Sequence, residues 1–249
     1  MKPGKQRLIA TLYAPPLEGK AMRLIHAIDA IENVLAPEKL RYGILHDGSL
    51  QEIHDRITWL EQAAQQRRIP VLTNGNEERY ISVMGMEIPA ALGPGGDTAL
   101  LQLSVEIPQT NWFAERSDGL LMELGRMLGA FWGTANPYDA AVVIGKQTIH
   151  PRQSVAPPKG LVALKPLVQI PDPFLPQCLG WINYWSKEAA RMIGFPDPSQ
   201  DAAMLKRARQ SPEHSWCVRL TQDRLDLDNA QHLHDLQQAY KRFANIGGR

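Results

Sequence analysis

The order of apolar patterns along the chain predicts an α+β fold, with helices packed on a mixed β-sheet. Residues 101–107 alternate apolar and polar side chains, as a half-buried strand does, whereas residues 120–131 repeat apolar side chains at helical spacing. Hydrophobic residues make up 44% and charged residues 21% of the 249 residues, a balance typical of globular proteins. We therefore expect a single unit spanning residues 1–249, which can fold without a disulfide or a structural metal.

The first half of the chain is predicted to alternate strands and helices. Ser49 and Glu52 have the spacing of a capping box, which marks the start of a helix. Asn74-Gly75-Asn76 separates two apolar runs, as the turn of a hairpin does. The expected elements are a strand at 7–13, a helix within 17–35, a strand at 41–45, a helix after the capping box, hairpin strands at 69–73 and 80–84, and the strand at 101–107.

The second half continues the pattern on both sides of a proline-rich stretch. Residues 150–178 hold seven prolines, which forbid regular structure, so we expect an extended connection and a candidate subdomain boundary there. The expected elements are a helix at 120–131 ended by Gly133, a strand at 140–144, a strand-like segment at 179–186, helices at 187–193 and after Ser199, a strand at 216–220, and a last helix capped by Asp228 with Gln231.

The sequence contains no recognisable catalytic or metal-binding motif, so we expect no enzyme activity, no cofactor and no metal. Two arrangements leave a small hydrolase open as an alternative. Cys217 follows His214 by three residues and could form a thiolate–imidazole pair, although a structural cysteine is the simpler interpretation. Asp223, Asp226 and Asp228 could hold magnesium, although a helix cap and a solvated turn explain them as well.

Charge is unevenly distributed along the chain, although the net charge is only +1. Residues 71–123 carry two basic and eight acidic side chains, whereas residues 124–170 carry five basic and one acidic. Because steering follows the local field, an acidic surface favours docking to a basic protein and not direct binding of nucleic acid. The candidate partner-binding residues are Glu77, Glu78, Glu87, Asp97 and Glu106. An ordinary solvated surface is the alternative explanation.

The cellular location is expected to be the cytoplasm. The apolar stretch near the N-terminus has only about six residues, fewer than the ~7–15 of a signal-peptide core, and two prolines follow it. No apolar run reaches the ~18 residues that a membrane helix needs, so no membrane partner is expected.

Several stretches resemble the Immunity protein 52 family of bacterial toxin systems. The opening strand Leu8–Tyr13, Phe131-Trp132-Gly133, the segment Leu179–Ser186 and Leu225–Asn229 carry this resemblance, and Gly-Trp-x-Asn-Tyr-Trp-Ser within the third is among its more specific elements. The closing segments Ile193–Pro198 and Ile246–Arg249 also resemble a related group of uncharacterised bacterial proteins.

The resemblance implies a protein that binds and neutralises a nuclease toxin, often an effector of type VI secretion. It identifies no inhibitory residue. Three functions therefore remain under consideration: a non-enzymatic immunity protein, a small hydrolase, and a chaperone that loads an effector without inhibiting it. The sequence leaves the oligomeric state, the inhibitory surface and the cognate toxin open.

Overall fold

One antiparallel β-sheet of ten strands runs through the chain. The computed structural model describes residues 7–45, 47–148 and 156–248. The strands are β1 (Arg7–Ala14), β2 (Tyr42–Ile44), β3 (Leu50–Glu52), β4 (Arg68–Thr73), β5 (Ser82–Ile88), β6 (Leu100–Pro108), β7 (Trp132–Pro137), β8 (Ile182–Trp185), β9 (Ala208–Gln210) and β10 (Trp216–Arg219). Their order across the sheet is β3-β2-β4-β5-β6-β1-β7-β8-β10-β9.

Seven α-helices accompany these strands in the described residues, which confirms the predicted α+β class. They are α1 (Met22–Val34), α2 (Arg56–Gln65), α3 (Asn111–Leu128), α4 (Tyr138–Gly145), α5 (Lys187–Ile193), α6 (Ala202–Leu205) and α7 (Ala230–Arg242). The sheet is antiparallel throughout rather than mixed, because β1 lies between β6 and β7. The crossover from β6 through α3 to β7 joins two parallel strands, but β1 separates them, so neither has a parallel neighbour.

The two faces of the sheet are covered differently. On one face, which we call the helical face, α1, α2 and α3 cover alternate side chains such as Leu12, Leu103 and Val105, all fully buried. On the opposite face, which we call the outer face, α4 contacts β1 and β7. Phe195 after α5 and Phe243 at the end of α7 pack against Trp185 of β8 on the same side. In the part of the chain that the structure describes, the outer face is thus covered at β1, β7 and β8.

Where the structure describes it, the proline-rich stretch contributes apolar side chains to the core; residues 150–155 fall outside the described residues. Leu161, Leu164 and Ile170 are buried, and the backbone forms short 3-10 turns at Pro158–Gly160 and Leu167–Gln169. A single sheet continues on both sides of the stretch, with β7 before it paired to β8 after it. The stretch therefore connects two parts of one sheet.

The prediction of a strand at 140–144 was wrong, because these residues belong to α4. A short run of five apolar residues fits a buried strand and a buried helix equally well, so its periodicity carries no information. The strand is the preceding segment, β7, where Gly133 had been expected to end a helix. Gly133 has a packing role instead: a Cβ atom there would lie 2.8 Å from the Thr11 carbonyl oxygen.

Two predicted helix caps were also wrong. Residues 50–52 form β3, and α2 begins later, where the Asp55 carboxylate accepts hydrogen bonds from the Thr58 backbone and hydroxyl. Helix α7 is capped by Asn229, whose side chain accepts from the backbone N–H of Gln231 at 2.9 Å. Several cap-forming residues stand in a row at both places, and only the path of the backbone selects one of them.

Candidate partner-binding surface

Among the described residues, no helix packs on the outer face over β2, β4, β5 and β6, and we call this region, together with the adjoining edge of β1, the open half. Residues paired across neighbouring strands point to the same face, so the register defines its side chains. One row runs Met84–Ser104–Thr11 across β5, β6 and β1, and the next runs Met86–Gln102–Tyr13. Met84 is 44% and Met86 is 52% exposed, although both lie in the interior of a strand near the middle of the sheet.

The surface of the open half is polar towards β1 and apolar towards β3. The Thr11 and Ser104 hydroxyls contact each other at 3.2 Å, and Gln102 lies in the adjacent row. Further out, Leu50 of the edge strand β3 is half exposed and pairs with Ile44. Unbranched methionine side chains adapt to different contacts, so this surface has the composition of a protein-docking site.

Carboxylates without an ion pair surround the open half. Glu52 lies on β3, Glu77 and Glu78 lie in the β4–β5 connection, and Asp97 lies in the β5–β6 connection; all four are exposed. None of them forms a salt bridge within residues 7–45, 47–148 and 156–248, although Asp97 accepts a hydrogen bond from the Thr98 hydroxyl. These four residues, which we call the acidic rim, give the border of the open half a negative field.

The structure brings three of the five predicted partner-binding residues to one end of the open half. Glu77 and Glu78 line a small groove together with Arg7 and Tyr80. Glu106 lies beside them on the outer face, as its alternation with core residues predicted, and accepts from Arg7 at 2.7 Å. The Arg7 guanidinium also lies over the Tyr80 ring, 4.8 Å from its centroid. Glu106 is therefore partly neutralised, whereas Glu77 and Glu78 form no ion pair with any basic side chain of the described residues.

The other two predicted residues lie elsewhere. Glu87 is opposite Leu101, five residues along β6 from Glu106, which is roughly 17 Å at the rise of a strand. Its side chain is only 7% exposed and accepts from the backbone N–H groups of Leu17 and Glu18, at 2.7 and 3.1 Å. Glu87 thus fixes the connection after β1. Asp97 is exposed at the same end of the β5–β6 hairpin as Glu87.

The structure separates the candidate residues of the cysteine arrangement and pairs one member of the aspartate arrangement with a lysine. Cys217 is buried in β10, and burial raises the pKa of its thiol well above the usual value, whereas His214 is exposed in a turn. Asp228 pairs with Lys159. In the described ranges, no three His, Cys, Asp or Glu side chains are grouped so that they could hold a metal ion.

The aromatic segment of β8 belongs to the core. Trp181 and Trp185 are each 1% exposed, and Trp181 donates from Nε1 to the Thr221 carbonyl. Tyr184 lies on the helical face against Gly125 of α3, where no side chain would fit. The side chains of Trp181 and Trp185 are therefore part of the core and not of an exposed surface. Gly-Trp-x-Asn-Tyr-Trp-Ser is an architectural motif, because Trp185 pairs with Trp132 and Tyr184 with Gly133.

Sequence reasoning missed the exposed methionines. Met84 and Met86 alternate with Val83 and Gly85, so this strand has apolar residues on both faces. That pattern is typical of a strand buried on both sides, and it does not single out the methionines. A strand with apolar residues on both faces needs packed elements on both sides to be buried. Among the described residues, helices pack on only one side of β5, and this mismatch could have indicated an exposed apolar surface.

A family model described as "Domain of unknown function (DUF5953)" matches residues 19–249. The chain belongs to the DUF5953 family. The match covers every element after β1, and it is to DUF5953 rather than to Immunity protein 52, which remains a resemblance.

The fold of this DUF5953 chain is similar to that of a solved structure. The Pseudomonas aeruginosa T6SS protein PA0821 superimposes with a TM-score of 0.57 at 14% sequence identity, over 96% of this chain and 74% of that one. At this identity, the likeness concerns the fold. No curated protein sequence matches the chain. Among the described residues, no helix combines the length and the apolar character needed to cross a membrane.

Proposed function

We propose that this DUF5953 protein is an immunity protein of a type VI secretion system. It binds a nuclease toxin of the producing cell in the cytoplasm and neutralises it, without catalysing a reaction itself. The observation that carries the proposal is the open half of the sheet with its acidic rim. A nuclease needs basic groups to hold the phosphates of its substrate, so an acidic docking surface is complementary to it.

Two further observations support the proposal. The fold resembles that of a T6SS protein, which makes a secretion-associated role the natural context. The two cysteines offer no nucleophile, because burial raises the thiol pKa of Cys178 to about 12 and that of Cys217 well above its usual value. A hydrolase based on Cys217 would need a thiolate at neutral pH.

Co-expression tests the proposal directly. Cells that express the nuclease encoded beside this chain should survive when the chain is also expressed, and their chromosomal DNA should remain intact. Purified chain and toxin should form a complex in which nuclease activity is lost. Toxin killing despite abundant folded protein would contradict the proposal, and a stable complex with an active nuclease would favour the effector-loading chaperone instead.

A test for turnover addresses the hydrolase alternative. The purified chain should not hydrolyse ester, peptide or nucleic-acid substrates above the rate of a boiled sample. Hydrolysis that disappears in Cys217→Ala or Asp226→Asn would overturn the non-enzymatic proposal.

A further inference from the structure

A cavity of about 180 Å³ lies at the inner end of the open half. Its floor is the outer face of β1 and β7, with Ile9, Thr11 and Trp132 among its lining residues. Helix α4 forms one wall through Ile144 and Gly145, and Gln177 with Cys178 completes the lining. Because Ile9, Thr11 and Gln102 also belong to the open half, the cavity adjoins the surface on which a partner would dock.

The described part of the cavity lining carries no charge. Among the described residues, it contains no Lys, Arg, His, Asp or Glu side chain. Its two weakly acidic groups, the Tyr13 phenol and the Cys178 thiol, are partly buried, and desolvation raises the pKa of each. An ion entering this space would lose its hydration without gaining a counter-charge, so the cavity selects a neutral group.

The size and polarity of the cavity restrict further which neutral group it can bind. A cavity of roughly 150 Å³ is sufficient to bind benzene, so a volume of about 180 Å³ accommodates one six-membered ring with a small substituent. Ile9, Ile144 and Trp132 offer apolar contacts to such a ring. The Gln177 amide nitrogen already donates to the Lys165 carbonyl at 3.1 Å, and the Thr134 hydroxyl accepts from Asn136 at 3.4 Å. The Gln177 side-chain oxygen is an acceptor and the Thr134 hydroxyl is also a donor, which suits a hydroxyl substituent.

We propose that this cavity binds the phenol group of a tyrosine side chain presented by the protein that docks on the open half. The identity of that protein rests on the function proposed above, whereas the chemistry of the cavity does not. Tyrosine is among the residues that dominate binding energy at interfaces, because it combines a large apolar ring with a hydroxyl that finds a partner when buried.

Gly145 provides a sharp test. Gly145 is exposed at the wall of the cavity, and a Cβ atom there meets no atom within 4 Å, so Gly145→Leu adds a bulky side chain beside the cavity without a clash at its Cβ. Gly119 of α3 is a matched control, because it is also helical and a Cβ atom there also meets nothing within 4 Å. Ala141→Leu, from the same wall of the cavity, is a second blocking variant.

The first measurement uses p-cresol, the free analogue of the tyrosine side chain, in an NMR titration of the whole protein. Saturable shifts should appear for wild type and Gly119→Leu and should be absent for Gly145→Leu and Ala141→Leu. Butylammonium and propionate, as charged probes, should give no saturable shifts. Absence of p-cresol binding to wild type, or equal binding of the charged probes, would overturn the assignment of the cavity.

The second measurement is the affinity for the cognate toxin. Gly145→Leu should weaken it by about tenfold or more, as expected for loss of an interface anchor, and Gly119→Leu should leave it unchanged. Equal toxin affinity in both variants would overturn the tyrosine proposal while leaving the immunity function intact. Saturable p-cresol binding in a protein that binds no toxin would support the cavity assignment and reject the proposed function.

Discussion

At the scale of residues, one constraint in this fold is how closely neighbouring elements approach a glycine backbone. A Cβ atom at Gly125 would lie 2.3 Å from Cζ of Tyr184, so the β8 aromatic ring rests directly on the backbone of α3. This contact explains why a helix of 18 residues contains a glycine facing the sheet, despite the low helix propensity of glycine.

Gly125→Ala should therefore destabilise the protein by about 1–3 kcal/mol, the usual cost of overpacking a core. Gly119→Ala, in the same helix with free space around its Cβ position, should be neutral or stabilising by up to about 1 kcal/mol. Urea denaturation of the two variants measures both values. Equal stability of the two would show that Tyr184 moves away without cost.

The buried thiol of Cys178 predicts a loss of stability at alkaline pH. Its pKa is raised from 9.0 to about 12 in the folded protein, so the unfolded chain releases this proton at lower pH than the folded chain does. The contribution to the free energy of unfolding is intact below pH 9 and declines as the pH rises towards 12, by up to about 1.4 kcal/mol per pH unit.

Denaturation of wild type and Cys178→Ala at pH 8, 9.5 and 11 checks this prediction. The difference between their free energies of unfolding should change with pH by roughly the amount expected for one proton. Parallel stability curves would mean that the thiol is not protected from ionisation in the folded state.

At the scale of elements, the N-cap of α7 is a point on which the structure and the sequence pattern disagree: the structure has Asn229, and the pattern predicted Asp228. Asn229→Ala should cost about 1 kcal/mol, because its side chain accepts from two backbone N–H groups at the start of the helix. Asp228→Ala removes an 87% exposed carboxylate and should cost less than about 0.5 kcal/mol. Thermal denaturation of both variants decides between the two caps, and a larger loss at Asp228 would favour the cap predicted from sequence.

Helix α7 also holds part of the outer face in place. Tyr240 and Phe243 are fully buried, and the Tyr240 hydroxyl accepts from the Leu179 backbone N–H at 3.0 Å. Truncation after Asp228 removes these side chains, each worth roughly 1.5–3 kcal/mol of burial, and should abolish cooperative unfolding. A truncated chain that keeps the full-length melting temperature would show that the helix is peripheral.

At the scale of the whole molecule, the acidic rim should control association with a basic partner. Glu77→Lys combined with Glu78→Lys reverses two exposed charges that have no internal ion pair among the described residues. The double variant should slow association with the toxin at low salt, and the difference should shrink as salt shortens the screening length to about 8 Å or less. Stopped-flow association rates at two salt concentrations measure this effect.

Arg209→Glu, on the edge strand β9 at the far side of the sheet, is the matched control and should leave the rate unchanged. Glu106→Lys belongs in a separate experiment, because it also breaks the ion pair with Arg7. Identical rates for wild type and the double variant at low salt would place the interface away from the rim.

The sequence by itself determined the α+β class, most of the helices and strands, and the position of Glu106 opposite the core face, because these follow from local periodicity. It could not distinguish helix from strand at 138–145, since a short apolar run has no period, nor choose among adjacent cap residues. Only the tertiary structure decided that β1 inserts between β6 and β7, which makes the sheet antiparallel, and that no helix of the described ranges covers the outer face over β5. Both depend on contacts between residues far apart in the chain, such as Thr11 with Ser104, and such contacts leave no local pattern in a single sequence.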